Sequence, residues 1–171
     1  MRRGLIIYLL IVGILYLVYG FLEFIKGVIA WWLPWIKFPV AELSATIRFN
    51  NIRLNIPNLI ADPFAGLVLI FTSLVYFRAI TYFRKNKIDG WGFLIVGVIL
   101  SVALAFLNIL IVLADAIEAY YPLLWGQKTN ESWNILTDEW MFNPMMILGV
   151  LILPLIKECL NWYRKSKSTQ S

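Results

Sequence analysis

The side chains able to do chemistry are few in this chain of 171 residues, and most acid–base and metal chemistry lacks its usual parts. There are fifteen Lys/Arg, ten Asp/Glu, a single cysteine and no histidine. Without imidazole, the commonest neutral-pH general base and the commonest metal ligand are both absent. Cys159 has no second thiol for an intramolecular disulfide or a CxxC pair, and reads as a small buried thiol. No Gly-rich phosphate loop, HExxH helix or nucleophile elbow is present. The expectation is therefore a non-enzyme with no cofactor and no metal. What remains is a set of carboxylates, Glu23, Asp62, Asp115 and Glu118, and a stripe of small and hydrogen-bonding residues that includes Gly97, Ser101 and Asn108.

The elements that must position these residues are four apolar stretches. Hydrophobic residues make up 61% of the chain and charged residues 15%, with mean hydropathy +0.76, which places it among membrane proteins. The stretches run over about residues 4–33, 63–83, 91–114 and 143–163, separated by outer loops at 34–62 and 120–141. One domain is expected over 1–171, an all-α integral membrane protein built as a four-transmembrane-helix bundle. The net charge of +5 points to lipid head groups rather than nucleic acid, because the positives sit beside the spans.

Charge also sets the orientation. Arg2 and Arg3 precede the first stretch; Arg84, Lys85 and Lys87 follow the second; Arg164, Lys165 and Lys167 follow the fourth. Four crossings bring all three clusters to one side, so both termini are expected in the cytoplasm and the protein in the plasma membrane. Assigned this way, ten basic residues face two acidic ones inside, and five basic residues face eight acidic ones outside. All eight Trp residues fall at expected interfaces or in outer loops, where the ring is sheltered and the N–H stays wet.

Local signals bound the spans. Asp62-Pro63 and Asn143-Pro144 each read as an N-cap followed by proline in the first turn. Asp89-Gly90 marks a tight inner turn, and Pro154 is a candidate kink in the fourth span. Leu10–Gly13 recurs as Leu94–Gly97, and Tyr82–Lys87 resembles Trp162–Lys167, an ordered repeat of near-eighty offset. Duplication of a helical hairpin and independent origin of these caps and belts both account for it. In the first outer loop, residues 47–56 alternate apolar and polar around Asn50-Asn51, which predicts a short β-hairpin. Its apolar face is expected to lid the bundle or dock a partner. Asn130-Glu131-Ser132 matches the N-glycosylation pattern on the outer side.

Two helix faces stand out. In the third span Gly90, Gly97, Ser101, Asn108 and Asp115 lie within about forty degrees of one another at one hundred degrees per residue. In the first, Gly13, Gly20 and Gly27 recur every seven residues, with Tyr16 and Glu23 alongside. Such faces are where bilayer helices pack, and the two are expected to meet. Glu23, Asp62, Asp115 and Glu118 fall near outer helix ends. One reading makes them the acidic mouth of a small oligomeric transporter or channel. The preferred reading makes them interfacial carboxylates, hydrated or paired with Lys26, Lys37, Arg48 and Arg53. The function favoured on these grounds is a scaffold or accessory subunit of a larger membrane assembly, meeting a membrane-protein partner or a second copy through the helix faces or the 47–56 hairpin.

Overall fold

A computed structural model of the chain describes residues 2–36, 45–49, 52–126, 133–136 and 138–168. The element order is α1 (Arg2–Trp32), β1 (Ala45–Phe49), β2 (Ile52–Ile56), α2 (Pro63–Arg84), α3 (Asp89–Leu124), α4 (Pro144–Leu151) and α5 (Leu153–Ser168). Three helices, α1, α2 and α3, are each long and apolar enough to cross a membrane, and the bent pair α4–α5 makes a fourth candidate span. The strands β1 and β2 pair antiparallel, with Ala45 opposite Ile56 and Phe49 opposite Ile52. The Asn130 acceptor, and whatever the side chains of 45–55 rest on, lie outside the described residues.

The helices alternate in direction. The C-terminal half of α1 lies against the start of α2, where Gly27 adjoins Pro63 and Gly20 adjoins Gly66. At the opposite end Phe83 of α2 meets Gly90 and Trp91 of α3, and Trp91 stacks on Trp162 of α5 with centroids 5.3 Å apart. The first and last helical residues therefore share the end that carries the basic clusters. The core between them is filled by Leu9, Val12, Leu69, Leu94, Leu148, Ile152 and Leu155, all essentially without exposure.

The expected meeting of the α1 and α3 faces is corrected. The glycines of α1 pack on α2: a Cβ at Gly13 would meet the Phe77 ring at 3.0 Å, and one at Gly20 would lie 2.9 Å from the Gly66 carbonyl. Gly97 of α3 also faces α2, where a Cβ would come within 2.7 Å of the Tyr76 ring. α2 is thus the central helix, contacted by a glycine-bearing face from each side. The physical reason is that small residues mark where a neighbour comes close, and do not say which neighbour.

The fourth span is two helices bent by 40° rather than one. Pro154 offers no N–H to the carbonyl of Val150. The next two amides, Leu155 and Ile156, both turn to the Ile152 carbonyl at 2.8 and 3.1 Å. This leaves the Leu151 carbonyl free of its usual helical donor, and the Tyr8 hydroxyl of α1 donates to it instead. The third span also runs further than its apolar stretch suggested, reaching Leu124, so its 36 residues make a helix of about 54 Å against a hydrocarbon core of about 30 Å.

Candidate functional site

Polar side chains inside the bundle gather at two levels. The first is midway along the helices. Tyr76 of α2 and Ser101 of α3 share a hydroxyl–hydroxyl hydrogen bond of 2.8 Å. The Tyr16 ring of α1 packs against Tyr76 at 5.7 Å with the planes tilted by 56°. All three residues are fully buried. Gly97 explains how Tyr76 fits, since one turn before Ser101 it leaves the groove the ring occupies. Ser73 is buried nearby on α2, and Thr72 bonds back to the Val68 carbonyl at 2.9 Å.

The second level lies toward the ends away from the basic clusters and joins all four candidate spans. Its centre is Glu23, which is shut off from solvent. One carboxyl oxygen, Oε1, accepts a hydrogen bond of 2.9 Å from the Nδ2 of Asn143. Asn143 is the N-cap of α4, and its Oδ1 at the same time accepts the Met145 N–H at 2.8 Å. An amide is the side chain that performs both tasks, since the cap needs an acceptor and Glu23 needs a donor. The corresponding cap on α2 is Asp62, whose Oδ1 accepts from Phe64 and Ala65 N–H at 2.8 and 3.1 Å. An aspartate at 143 would set two carboxylates face to face.

The loops are tied into this level by their backbones. Asn58 donates its N–H to the Phe142 carbonyl at 2.8 Å and its Nδ2 to the Glu139 carbonyl at 2.9 Å. Asn108 of α3 donates to the Trp140 carbonyl at 2.8 Å. Asp138 accepts from the Trp133 indole at 2.9 Å and from the Trp140 N–H at 2.8 Å. Lys26, one turn above Glu23, donates to the Leu59 carbonyl. The two loop segments 57–62 and 138–143 are therefore stitched to each other and to α1 and α3.

The four sequence-predicted carboxylates fall into two places. Glu23 is inside the protein beside Asp62, and Asp62 is engaged as a helix cap. Asp115 and Glu118 stand on the C-terminal part of α3, with Asp138 and Glu139 close enough to act electrostatically on Asp115. Glu118 is exposed and Asp115 partly so. Ser101 and Asn108 sit one at each polar level, facing α2 and the loop before α4 respectively. Sequence reasoning overlooked Tyr76 and Asn58, and gave Asn143 only its capping role. Tyr76 had a signal, since Thr72, Ser73 and Tyr76 form a hydroxyl-bearing face within an apolar run. The Asn143–Glu23 pair joins residues 120 apart, and no local pattern could have found it.

Among the described residues no group of three or more His, Cys, Asp or Glu is placed to hold a metal ion. The rings at the end that carries the basic clusters form a separate apolar belt, with Tyr82 stacked on Phe93 at 5.1 Å and Phe83 edge-on to Trp91 at 5.2 Å.

No curated protein and no solved structure matches the chain. A family model does, described as the MJ0565 integral membrane domain, and it matches residues 1–158. That match takes in every candidate span through the bend at Pro154 and both polar levels, so the chain is a member of the MJ0565 integral membrane domain family.

Proposed function

We propose that the protein is a non-enzymatic subunit of a larger membrane assembly, crossing the plasma membrane four times with both termini in the cytoplasm. It holds a partner through the outer part of α3. The observation that carries this reading is the reach of that helix. If the Tyr16–Tyr76–Ser101 level marks the bilayer centre, a hydrocarbon half-thickness of about 15 Å is used up some ten residues further on, near residue 111 of α3. The helix continues to Leu124. Beyond that depth Leu113, Ile117, Tyr120, Tyr121 and Leu124 remain exposed, Leu124 at 81%. Apolar side chains standing above the lipid are the mark of a docking surface.

Charge narrows the partner. Asp115, Glu118 and Glu139 border the apolar strip, so the complementary surface is an apolar segment flanked by Lys or Arg on another membrane protein. The interior supports a packed subunit rather than a conduit, because Leu69, Leu104 and Leu148 are buried between the two polar levels. The test compares native-membrane copurification of the wild type with Ile117→Lys and Leu124→Lys variants. A stoichiometric partner retained by wild type, and released by both variants at unchanged expression, supports the reading. Selective ion flux by the purified protein in liposomes, abolished by Asp115→Asn, would replace it with the transporter reading.

A further inference from the structure

We propose that Arg78 and Lys87, drawn together on the Tyr82 ring at the end of α2, form a binding site for the headgroup of an acidic phospholipid. The site is built by the way α2 stops. The Lys85 and Lys87 N–H groups both donate to the Tyr82 carbonyl, at 3.1 and 3.0 Å, and the Asn86 N–H donates to the Phe83 carbonyl at 3.1 Å. Asn86 takes the left-handed conformation, φ 55°, that such a helix stop uses. The reversal brings Lys87 back over the Tyr82 ring, its ammonium 6.0 Å from the centroid. Arg78, one turn earlier in α2, reaches the same ring. Its guanidinium carbon stands 5.1 Å from the centroid, and Nη2 donates to the Tyr82 hydroxyl at 3.4 Å. Phe93 of α3 stacks on one face of the ring with the planes 13° apart, which leaves the other face to the cations.

Two positive charges gathered on one ring call for an anion. Among the described residues neither Arg78 nor Lys87 meets a carboxylate, and the long bond to Tyr82 occupies one of the five guanidinium N–H groups. Arg78 is also exposed within a candidate span. It lies about 9 Å of helix before Arg84, on a strip shared with Phe71 and Leu74, both more than half exposed. An exposed guanidinium inside a span is costly, since charges at that depth ordinarily face the bundle interior. Reaching toward Tyr82 carries the Arg78 charge to the end where Arg84, Lys85 and Lys87 stand, the level of the lipid phosphates.

A phospholipid headgroup supplies what the cluster lacks. A guanidinium binds a phosphodiester through two parallel N–H···O bonds, and an ammonium adds a second, less directional contact. A choline headgroup brings its own cation, which Arg84, Lys85 and Lys87 repel. A headgroup without one, such as that of phosphatidylglycerol, leaves its phosphate charge to be matched by the protein. A free phosphate would meet the same two cations, but it would leave Phe71 and Leu74 beside Arg78 uncovered, whereas acyl chains lie along them. The occupant is therefore a lipid.

The experiment measures lipid retention by native mass spectrometry on purified full-length protein in detergent, titrated in turn with phosphatidylglycerol, phosphatidylcholine and inorganic phosphate. Wild type is expected to keep one phosphatidylglycerol in preference to phosphatidylcholine, and inorganic phosphate is expected not to displace it. Arg78→Gln should weaken that retention roughly tenfold or more, through loss of a charge-assisted contact, and Lys87→Gln by less. Arg164→Gln, which removes a charge of the same sign and leaves the Tyr82 ring alone, should match wild type. Equal retention of the two lipids overturns the proposal, as does displacement by inorganic phosphate. An equal loss in Arg164→Gln overturns it too, by reducing the site to a general attraction. So does a copurifying protein released by Arg78→Gln at unchanged lipid retention, which would make the counter-ion a carboxylate of another chain. Should Arg78→Gln fail to fold, Lys87→Gln and the wild-type comparison of the two lipids decide.

Discussion

Replacing Gly66 by alanine tests whether backbone-to-backbone contact between α1 and α2 holds the bundle together. A Cβ built on Gly66 would lie 2.3 Å from the Phe24 nitrogen and 2.7 Å from both the Gly20 carbonyl oxygen and the Phe24 Cα. Ordinary contact starts at 3.4 Å, and every atom in the way is backbone, so no side chain can rotate aside. The helices must part by about an ångström, which places the cost near the top of the overpacking range, about 3 kcal/mol. Alanine's better helix propensity returns about 1 kcal/mol. The net loss of about 2 kcal/mol corresponds to a fall in Tm of roughly 4–8 °C for a domain of this size. Gly92→Ala is the control, because a Cβ there meets nothing within 4 Å. It gains the propensity alone and is expected to match wild type or exceed it by about 2–4 °C. Intrinsic tryptophan fluorescence during heating, read alongside size-exclusion profiles, measures both. If Gly66→Ala unfolds at or above the temperature of Gly92→Ala, close approach at the Gly20–Gly66 crossing is not what fixes this pair.

Three further outcomes follow from the same contacts. Tyr8→Phe strips the Leu151 carbonyl of its donor and is expected to cost about 1 kcal/mol, while Pro154→Ala restores a regular helix there and makes the Tyr8 change nearly silent; a double-mutant cycle by thermal unfolding reads the coupling. Asn143→Ala removes both the α4 cap and the donor to Glu23 and should lower stability by about 2 kcal/mol or more, whereas Asp62→Ala, which removes a cap alone, should cost about 1 kcal/mol. Maleimide applied outside intact cells should fail to label a cysteine introduced at Ser168 in a Cys159→Ser background, yet label one introduced at Glu118; labelling of the first would reverse the orientation drawn from the basic clusters.

What could be read from the sequence follows the length scale of each interaction. The caps at Asp62 and Asn143 and the apolar runs are local and were visible as spacing. Pro154 signalled a break, but the rescue of the Leu151 carbonyl by Tyr8 spans 143 residues and was not visible. Gly13, Gly20, Gly27 and Gly97 advertised close packing, yet the partner is Gly66, which carries no periodic mark, or Tyr76, whose hydroxyl-bearing face does not say which helix it meets. Glu23 illustrates the same limit. Its depth along α1 suggested a carboxylate at the head groups, but the loop carrying Asn58–Asp62 and the one ending at Asn143 close over it. Hydropathy assigns depth; it does not say whether a neighbour shields the residue from water.

The arrangement of the two polar levels bears on whether the bundle interior is continuous. On α1 the step from Tyr16 to Glu23 is seven residues, about 10 Å of helix. Across that step the interior is closed by Leu69 from α2, Leu104 from α3 and Leu148 from α4, each buried, and by the tight Gly20–Gly66 crossing. The buried Glu23 carboxyl and the hydroxyls of Tyr76 and Ser101 are thus separated by apolar packing rather than joined by a polar path. The Glu23–Asn143 hydrogen bond ties α1 to the α4 cap and to the loop before it, from which Asp138 and Glu139 act on the α3 strip that we propose as a docking surface. The consequence is a coupling: loss of that bond should loosen the loop beside the partner surface. Asn143→Ala should then weaken partner retention in native-membrane copurification, while Asp62→Ala, which removes a cap alone, leaves it unchanged.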